Sequence, residues 1–359
     1  MIRHSGIGRY LKNIIPGICG EFDTILLGNA KLLAEFGWAK NANVLDVRSP
    51  IYSIQEQIQL PRKIPKCDGF WTPHYNIPVF PIRAKKRIVT VHDVFHLAFY
   101  EQLPLAQKMY ARQVLGRAAK ISDKIITVSD FSKSEILKYT NAAAEKISVI
   151  HHGIDFDRFK RCRDAAELAA VRKKFDLPDR FALFVGNVKP HKNLKRLILA
   201  FRELYKAGEK SSLVIVGQKD GFITGDNTIS DLLESDPEFK KKVLFKTSVS
   251  DDALPLFYNL ATVFIFPTLY EGFGFPPLEA MACGCPVITS NIDPVVEICG
   301  DASVKVDPLN PGQIKDGLQR VLSNEQLQKT LKEKGLQRVT AFQWETSVEK
   351  HLTLIDHLI

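Results

Sequence analysis

The sequence predicts an α/β fold with two doubly wound, parallel-sheet domains. Short runs rich in β-branched and aromatic residues alternate with amphipathic helical segments along nearly the whole chain, which is the pattern of βαβ units. The length of 359 residues fits two domains better than one, and the hydrophobic fraction of 45% is enough for two cores. A polar, charged stretch, residues 155–174, separates two groups of strands and is the predicted linker.

Twelve segments have the composition of buried strands. In the first part of the chain they are residues 24–27, 44–47, 69–71, 87–91, 124–128 and 146–150. In the second part they are residues 181–185, 213–216, 243–245, 263–266, 287–289 and 303–306. Helices are predicted between them, including Leu105 to Ile121 and a final helix within Phe342 to Ile359.

The positive charge of the chain belongs to its first part. Residues 1–150 contain 21 Lys+Arg and 12 Asp+Glu, whereas residues 151–359 contain 28 of each, so the net charge of +9 arises in the first part. A basic surface of this kind attracts anionic lipid headgroups, a lipid diphosphate or nucleic acid, and it also serves solubility alone. Nucleic acid is not the expected partner, because no recognition element with interleaved aromatic residues is present.

Cysteine usage and hydropathy indicate a cytoplasmic protein. The six cysteines are irregularly spaced, as in proteins of reducing compartments, and no apolar run has the length of a membrane span or a signal-peptide core. We therefore expect a cytoplasmic location, with peripheral contact between the basic first part and the anionic inner face of the membrane as a further option. Cys283 and Cys285 are expected to be structural thiols. The string from Asp155 to Asp157 is expected to be a turn and cap rather than a metal site.

The stretch from Phe266 to Ser290 holds two glutamates eight residues apart, Glu271 and Glu279. A helix is predicted from Pro276 to Cys283, because Pro276 and Pro277 suit its first turn and Gly284 suits its end. Glu271 then lies in the loop beyond the carboxyl end of a strand, and Glu279 lies in the first turn of the helix. Ligands of open α/β sheets bind at that edge.

The same loop predicts a receptor for an anion such as a diphosphate. Gly272 and Gly274 allow the backbone to approach a ligand closely, and the N–H groups of the helix start favour negative charge. A carboxylate beside a phosphate is unfavourable unless it accepts hydrogen bonds, which the hydroxyl groups of a sugar or ribose supply. The alternative is an ordinary loop and helix start, where acidic residues are favoured in any case.

A second turn of the same sheet predicts a cation for that anion. The segment GNVKPHKN, residues 186–193, follows the strand at 181–185 and opens a helix with an apolar face formed by Leu194, Leu197, Ile198, Phe201 and Tyr205. Lys192 in this turn is able to hold a diphosphate and neutralise the charge on a leaving group. The alternative is a surface lysine near a helix start.

Two further features lie in the first part of the chain. His92 ends the strand at 87–91, again at a carboxyl edge, and the alternative to a functional role is a buried, hydrogen-bonded histidine. Its spacing to His96 does not place both rings on one helical face, so no metal pair is predicted. Gly6 and Gly8 are expected in a loop whose backbone approaches the phosphates or the acceptor.

These residues together resemble family 4 of the retaining glycosyltransferases. The resemblance to its E-x7-E signature rests on Glu271, Gly272, Phe273, Gly274, Pro277, Glu279, Ala280 and Gly284. It covers almost the whole chain and implies the GT-B fold, in which two Rossmann-like domains face each other across a cleft that holds the active site. The implied domains are residues 1–160 with a crossover helix at 342–359, on the acceptor side, and residues 161–341, which bind the nucleotide sugar.

The resemblance also implies residue roles. The implied catalytic residues are Glu271, His92 and Lys192, with His92 facing the sugar across the cleft. The implied donor-binding residues are Gly6, Gly8, Asn187, Lys192, Gly272, Phe273, Gly274 and Glu279. Glu279 would hold the ribose hydroxyls and Glu271 the sugar hydroxyls, and Asn187 stands where many members have an arginine. No cofactor and no obligatory metal are implied, because the leaving diphosphate is stabilised electrostatically.

The implied reaction is sugar transfer with retention, from a nucleotide-diphosphate sugar to a glycan or a lipid-linked acceptor. The segments RHSGIGRY and GNVKPHKN resemble bacterial mannosyltransferase-like enzymes of surface polysaccharide assembly, so GDP-mannose is the first expectation and a UDP-sugar the second. A binding protein without transfer activity and a GT-B nucleotide-sugar epimerase are the alternatives. The chain begins five residues before Gly6, which is too short for the first, central strand that family members carry. The expectation is a truncated or misassigned start, or a rearranged N-terminal domain that lacks this strand.

Overall fold

A computed structural model describes residues 2, 5–102, 104–217 and 227–359 of the chain. The chain divides into two compact units. The N-terminal unit comprises residues 1–153 together with 343–359, and the C-terminal unit comprises residues 154–342. Among the helices of the described residues, none is long and apolar enough to cross a membrane.

The helices of both units are short to medium in length. In the N-terminal unit they are α1 (Ser5–Glu21), α2 (Ala30–Leu33), α3 (Ile54–Lys63), α4 (Phe95–Ala98), α5 (Leu105–Ile121), α6 (Asp130–Tyr139) and, from the end of the chain, α16 (Trp344–Asp356). In the C-terminal unit they are α7 (Ala165–Lys174), α8 (Leu194–Lys206), α9 (Asn227–Glu234), α10 (Pro237–Lys240), α11 (Leu254–Leu260), α12 (Phe275–Ala282), α13 (Asp293–Cys299), α14 (Pro311–Leu322) and α15 (Glu325–Val339). Four 3₁₀ helices are also present in the described residues, at Gly37–Asn41, Tyr100–Gln102, Ala144–Lys146 and Pro190–Lys192.

All twelve predicted strands are confirmed. In the N-terminal unit they are β1 (Ile25–Gly28), β2 (Asn43–Asp46), β3 (Cys67–Thr72), β4 (Ala84–Thr90), β5 (Lys124–Thr127) and β6 (Ile147–Val149). In the C-terminal unit they are β7 (Phe181–Val185), β8 (Ser212–Val216), β9 (Val243–Lys246), β10 (Val263–Phe266), β11 (Val287–Ser290) and β12 (Ser303–Val306). Runs of β-branched and aromatic residues predict strands well when both faces are buried, as in β8 and β10.

The C-terminal unit has one six-stranded sheet in the order β12-β11-β10-β7-β8-β9. Every neighbouring pair is parallel. Strands β8 and β9 extend the sheet on one side of β7, and β10 to β12 extend it on the other side, which is the doubly wound topology. The direction of winding therefore reverses between β7 and β10.

The helices hold this sheet through apolar faces. Leu194, Leu197, Ile198 and Phe201 of α8 are fully buried, and Tyr205 packs at the margin of the same core, as the sequence pattern predicts. Burying a large aliphatic or aromatic side chain contributes about 1.5–3 kcal/mol. The core thus fixes the position at which the turn before α8 leaves the sheet.

The N-terminal unit differs from the single doubly wound sheet that the sequence predicts. Its strands form a four-stranded parallel sheet, β3-β4-β5-β6, and a separate parallel pair, β1-β2. In the described residues no strand precedes α1, and no strand pairs with both β1 and β3. A strand between the pair β1-β2 and the four-stranded sheet would supply ladder partners to both, and without one in the described residues the two sheets remain separate.

Gly6 and Gly8 lie in the first two turns of α1, so the expected glycine loop is wrong. The helix is favoured by an apolar stripe, in which Tyr10, Leu11, Ile14 and Ile18 are buried at helical spacing. Burial of this stripe outweighs the low helix propensity of two glycines, which costs about 1 kcal/mol each.

The predicted linker, residues 155–174, is also only partly correct. Its second half is α7, because Asp164 caps the helix by accepting hydrogen bonds from the N–H groups of Ala166 and Glu167. Its first half is a turn, in which Asp155 Oδ1 accepts hydrogen bonds from the N–H groups of Asp157 and Arg158 at 3.1 Å each. The expectation of a turn and cap at this acidic string is confirmed.

Candidate functional site

The carboxyl ends of β7 and β10 lie side by side at the point where the winding of the C-terminal sheet reverses. The two strands pair in parallel, with Val263 opposite Ala182 and Phe264 opposite Leu183. Lys192 follows β7 and Glu271 follows β10, so the topology brings the two predicted residues to one crevice. Crevices at such switch points bind ligands in doubly wound sheets.

The turn after β7 is shaped by close backbone packing. A side chain at Gly217, at the end of β8, would collide with the carbonyl oxygen of Gly186, so the glycine lets the two turns approach. Asn187 and Lys189 follow and are exposed, and the 3₁₀ helix Pro190–Lys192 comes next. The segment ends at Asn193, whose φ of 62° lies in the left-handed region.

Asn193 ties this turn to two other strand ends. Its side-chain Nδ2 donates to the carbonyl oxygen of Pro267 at 3.0 Å, after β10, and to that of Pro308 at 2.6 Å, after β12. Asparagine tolerates the left-handed conformation better than most residues. Asn193 therefore fixes the end of the turn in which its neighbour Lys192 lies, a role that sequence reasoning missed because both partners are more than seventy residues away.

The turn after β10 is held by three further hydrogen bonds. The carbonyl oxygen of His191 accepts from Leu269 N at 2.7 Å and from Thr268 Oγ1 at 3.0 Å. Ser290 at the end of β11 donates from Oγ to the carbonyl oxygen of Thr268 at 2.5 Å. Thr268 and Ser290 are fully buried. Buried polar groups that are satisfied in this way restrict a loop to one arrangement.

Lys192 and Glu271 form an ion pair through Nζ and Oε1. The lysine ammonium also lies over the ring of Phe266, 5.2 Å from its centroid. The two side chains keep 16% and 19% of their surface exposed, so the pair is sheltered but reachable. A ligand that carries both negative charge and hydroxyl groups would find a cation and a hydrogen-bond acceptor in contact.

The neighbour of this pair, His191, is a neutral imidazole at physiological pH. Burial lowers the pKa of His191 to about 3, and the positive charges of Lys192 and Lys189 add to the effect. The histidine thus adds no charge of its own to the turn.

The helix after Glu271 begins one residue earlier than predicted. It spans Phe275–Ala282, with Gly274 as its N-cap at a φ of 99°, a conformation that a side chain would strain. Glu279 is therefore the fifth residue of α12 and lies beyond its first turn. Pro276 and Pro277 lack N–H groups, so the first turn offers fewer donors for an anion than expected.

The glycine at the end of the helix behaves as predicted. Gly284 has a φ of 72°, and Cys285 N donates to the carbonyl oxygen of Ala280 while Gly284 N donates to that of Met281, both at 2.9 Å. These are the two hydrogen bonds of a Schellman motif. The buried loop residue Phe273 packs edge-on against Phe275 and Phe342 and so anchors the glycine loop at the start of α12.

Glu279 is almost completely buried, with 2% of its surface exposed. Its Oε2 accepts a hydrogen bond of 3.0 Å from the hydroxyl of Tyr258 in α11. Tyr258 is itself fully buried and is a second residue that sequence reasoning missed. The only signal for it was an aromatic residue in the helix that precedes β10.

His92, Gly6 and Gly8 belong to the N-terminal unit. His92 follows β4, and its Nε2 lies 3.0 Å from the carbonyl oxygen of Pro73. A carbonyl only accepts, so Nε2 carries the proton, and desolvation lowers the pKa of His92 and keeps it neutral. Its Nδ1 is then an acceptor.

His92 is part of a larger group of rings. Tyr10 lies edge-on to it at a centroid distance of 5.0 Å, and His152 lies 5.5 Å away. The Tyr10 hydroxyl contacts Thr90 Oγ1 at 3.0 Å and His351 Nε2 at 2.7 Å, which ties α1 and α16 to the end of β4. The four rings belong to Tyr10, His92, His152 and His351. These residues are far apart in the sequence, so no sequence pattern indicates the cluster.

The thiols are structural, as expected. Cys283 and Cys285 are free and buried, and desolvation raises the pKa of both, that of Cys285 to about 12. In the described part of the chain, no group of three or more metal-ligating side chains is found.

Two protein-family models match the chain. The model "Glycosyltransferase Family 4" matches residues 46–158, and "Glycosyl transferases group 1" matches residues 167–338. The O-antigen chain mannosyltransferase B of Escherichia coli is 30% identical over 274 residues, which are 76% of this chain and 71% of that protein. The chain belongs to glycosyltransferase family 4.

A longer relative is also similar in sequence, and a solved structure is similar in fold. The serotype-specific mannosyltransferase WbdA of Escherichia coli is 27% identical over 271 residues. These residues are 75% of this chain but only 33% of WbdA. The crystal structure of Anabaena Alr3699/HepE in complex with UDP-glucose superimposes with a TM-score of 0.78 at 16% identity, covering 100% of this chain and 98% of the other. The predicted GT-B class, with parallel sheets in two Rossmann-like domains, is confirmed, and the protein is a glycosyltransferase.

Proposed function

We propose that this glycosyltransferase moves a sugar from a nucleotide-diphosphate donor to a glycan or lipid-linked acceptor and retains the anomeric configuration. The observation that supports the proposal most strongly is the convergence of Lys192 and Glu271 at the switch point of the C-terminal sheet. A donor of this class presents two phosphates and many hydroxyls, which match an ammonium group and a carboxylate in contact.

Each part of the donor has a proposed partner. Lys192 binds the diphosphate, and the backbone of Gly272 to Gly274 approaches it. Glu271 accepts hydrogen bonds from the sugar hydroxyls, and Glu279 accepts them from the ribose. Asn187 is exposed beside this turn and contacts the donor without adding charge.

The proposed chemistry is electrostatic. As the bond to the sugar breaks, negative charge grows on the diphosphate, and Lys192 stabilises it. The departing phosphate takes the acceptor proton on the same face, so no protein nucleophile and no obligatory metal are needed. The neutral His92, with Nδ1 as an acceptor, is the proposed contribution of the N-terminal unit.

GDP-mannose is the first candidate donor and a UDP-sugar the second. The two Escherichia coli relatives described above are named mannosyltransferases, which supports a mannosyl donor. The structural neighbour HepE was crystallised with UDP-glucose, which supports a uridine nucleotide.

The acceptor side is proposed to contact an anionic membrane surface. Helix α5 exposes Leu105 (73%) and Met109 (54%), and it carries the exposed cations Arg112, Arg117 and Lys120. Exposed apolar and basic residues on one helix favour a lipid interface. Cosedimentation with anionic vesicles that is lost in neutral vesicles would support this contact, and equal recovery with both would contradict it.

A thermal-shift panel of nucleotide sugars tests donor binding. A donor at about a hundred times its dissociation constant should add roughly 2.7 kcal/mol of stability and raise Tm. Lys192→Gln should abolish most of the shift. Lys189→Gln is the matched control, since Lys189 is exposed in the same turn and should leave the shift unchanged.

Transfer itself is tested by nucleotide release in the presence and absence of acceptor extract, with a chelator in a parallel sample. We expect acceptor-dependent release that persists with the chelator, and a product of the same anomeric configuration as the donor. Inverted product, or a panel in which no nucleotide sugar raises Tm, would contradict the proposal.

A further inference from the structure

Tyr258 and Glu279 form a buried hydrogen-bonded pair between helices α11 and α12. The hydroxyl of Tyr258 donates to Oε2 of Glu279 at 3.0 Å. Tyr258 has no exposed surface, and Glu279 has 2%. Twenty-one positions of sequence separate the two residues, so only the packing of the two helices brings them together.

The tyrosine ring is held from two sides. It lies edge-on to Phe264 of β10 at a centroid distance of 5.4 Å and to Phe159 at 6.3 Å. Edge-to-face aromatic pairs add about 0.5–1.5 kcal/mol beyond their buried area. The hydroxyl therefore has a fixed position relative to the sheet, and it is not free to follow a carboxylate that moves.

A hydroxyl fixed in this way restricts the rotation of the carboxylate that accepts from it. Glu279 has three side-chain torsions, and a buried hydrogen bond to one oxygen selects the orientation of the carboxylate plane. The direction of the second oxygen follows from that plane. A carboxylate that must accept from two adjacent hydroxyls depends on such an orientation.

We infer that Tyr258 is a positioning residue for recognition of the donor's ribose, because it holds the Glu279 carboxylate in the orientation that accepts from the ribose hydroxyls. The inference rests on the proposed function, in which Glu279 binds the ribose. Tyr258 does not contact the donor. Through Glu279, Tyr258 increases the preference of the site for a nucleotide with ribose hydroxyls over one without them.

The test compares the binding of a nucleoside diphosphate with that of its 2′,3′-dideoxy analogue by calorimetry, for the full chain. In the wild type the ribonucleotide should bind at least about tenfold more tightly, the equivalent of 1.4 kcal/mol. Tyr258→Phe removes only the hydroxyl. It should weaken ribonucleotide binding about five- to tenfold, leave the dideoxy analogue unchanged, and raise the KM for the donor with little change in kcat.

Tyr205→Phe is the matched control, since Tyr205 is a half-buried tyrosine of the same unit, in α8, that packs against Phe239 of α10. It should keep the ribose preference of the wild type. If Tyr258→Phe lowers Tm but retains that preference, Tyr258 is only structural and the inference is overturned. If the wild type binds no nucleotide, or binds both analogues equally, the proposed role of Glu279 fails as well.

A second measurement does not depend on the stability of Tyr258→Phe. With 3-fluorotyrosine at position 258, the fluorine resonance reports the hydrogen bond to Glu279. Saturation with the ribonucleotide should shift that resonance, because the carboxylate then shares its charge with the ribose hydroxyls. The dideoxy analogue should not shift it. Equal shifts with both nucleotides, or none with either, would overturn the inference.

Discussion

Glu271 and Glu279 have different surroundings although they share one loop and helix. Glu271 keeps about a fifth (19%) of its side chain exposed and pairs with Lys192, whereas Glu279 is enclosed between α11 and α12 with 2% of its surface exposed. A charged group beside the reacting atoms acts on the transition state, while a buried acceptor that fixes a remote part of the substrate acts on binding. Substitution of the two residues should therefore change different kinetic parameters.

Glu271→Ala should chiefly lower kcat, and Glu279→Ala should chiefly raise the KM for the donor. Initial rates with varied donor concentration measure both parameters. Glu238→Ala provides the control, because Glu238 is exposed and pairs with the exposed Lys241. Equal losses in kcat and KM for both variants would argue against the division of roles.

At the scale of elements, helices α1 and α16 come from opposite ends of the chain and pack together in the N-terminal unit. Gly17 in α1 faces Val348 in α16, and a Cβ added at Gly17 would lie 2.5 Å from Cγ1 of that valine. The glycine therefore permits the close approach of the two helices. The hydrogen bond between Tyr10 and His351 fixes the same pair at another point.

Gly17→Ala should lower the free energy of unfolding by about 1–3 kcal/mol, the usual cost of overpacking. Val348→Ala in the same chain should recover most of that loss, since it removes the methyl group that collides. Denaturant unfolding of the two single variants and the double variant measures the coupling. Gly20→Ala, near the end of α1 with open space around it, should be neutral or stabilising. Additive losses would contradict the contact.

At the scale of the molecule, the N-terminal unit combines a basic surface with histidines that are buried and neutral. Burial lowers the pKa of His74 to about 3 and that of His351 to about 4, and it lowers the pKa of His152 well below its ordinary value. The neighbouring His92 adds to each of these shifts when charged. Acidification therefore acts against the folded unit.

The free energy of unfolding should fall as the pH is lowered from about 6.5 toward 4. In this window the unfolded chain binds protons at these histidines and the folded unit does not, so each contributes about 1.4 kcal/mol per pH unit. Calorimetry at pH 7, 6 and 5 measures the slope. His351→Gln should reduce it, whereas His357→Gln, at an exposed position, should not. An unchanged slope in His351→Gln would refute the assignment.

The secondary structure around the candidate site was predictable from particular residues. The aromatic and β-branched runs predicted β7 and β10, the prolines and Gly284 predicted α12, and the apolar stripe predicted α8. Where sequence reasoning was wrong, packing decided the outcome. Gly6 and Gly8 became helical because the stripe from Tyr10 to Ile18 is buried, and the predicted linker contains α7 because Asp164 caps it.

The sequence by itself determined the twelve strands, the presence of helices α5, α8 and α12, and the placement of Lys192 and Glu271 after two strands of one sheet. These follow from short-range physics: side-chain periodicity, glycine and proline geometry, and helix caps. Only the tertiary structure decided that β7 and β10 are neighbours, that Asn193 ties three strand ends together, and that Tyr258 donates to Glu279. Such contacts join positions far apart in the chain and depend on packing, which no local pattern encodes.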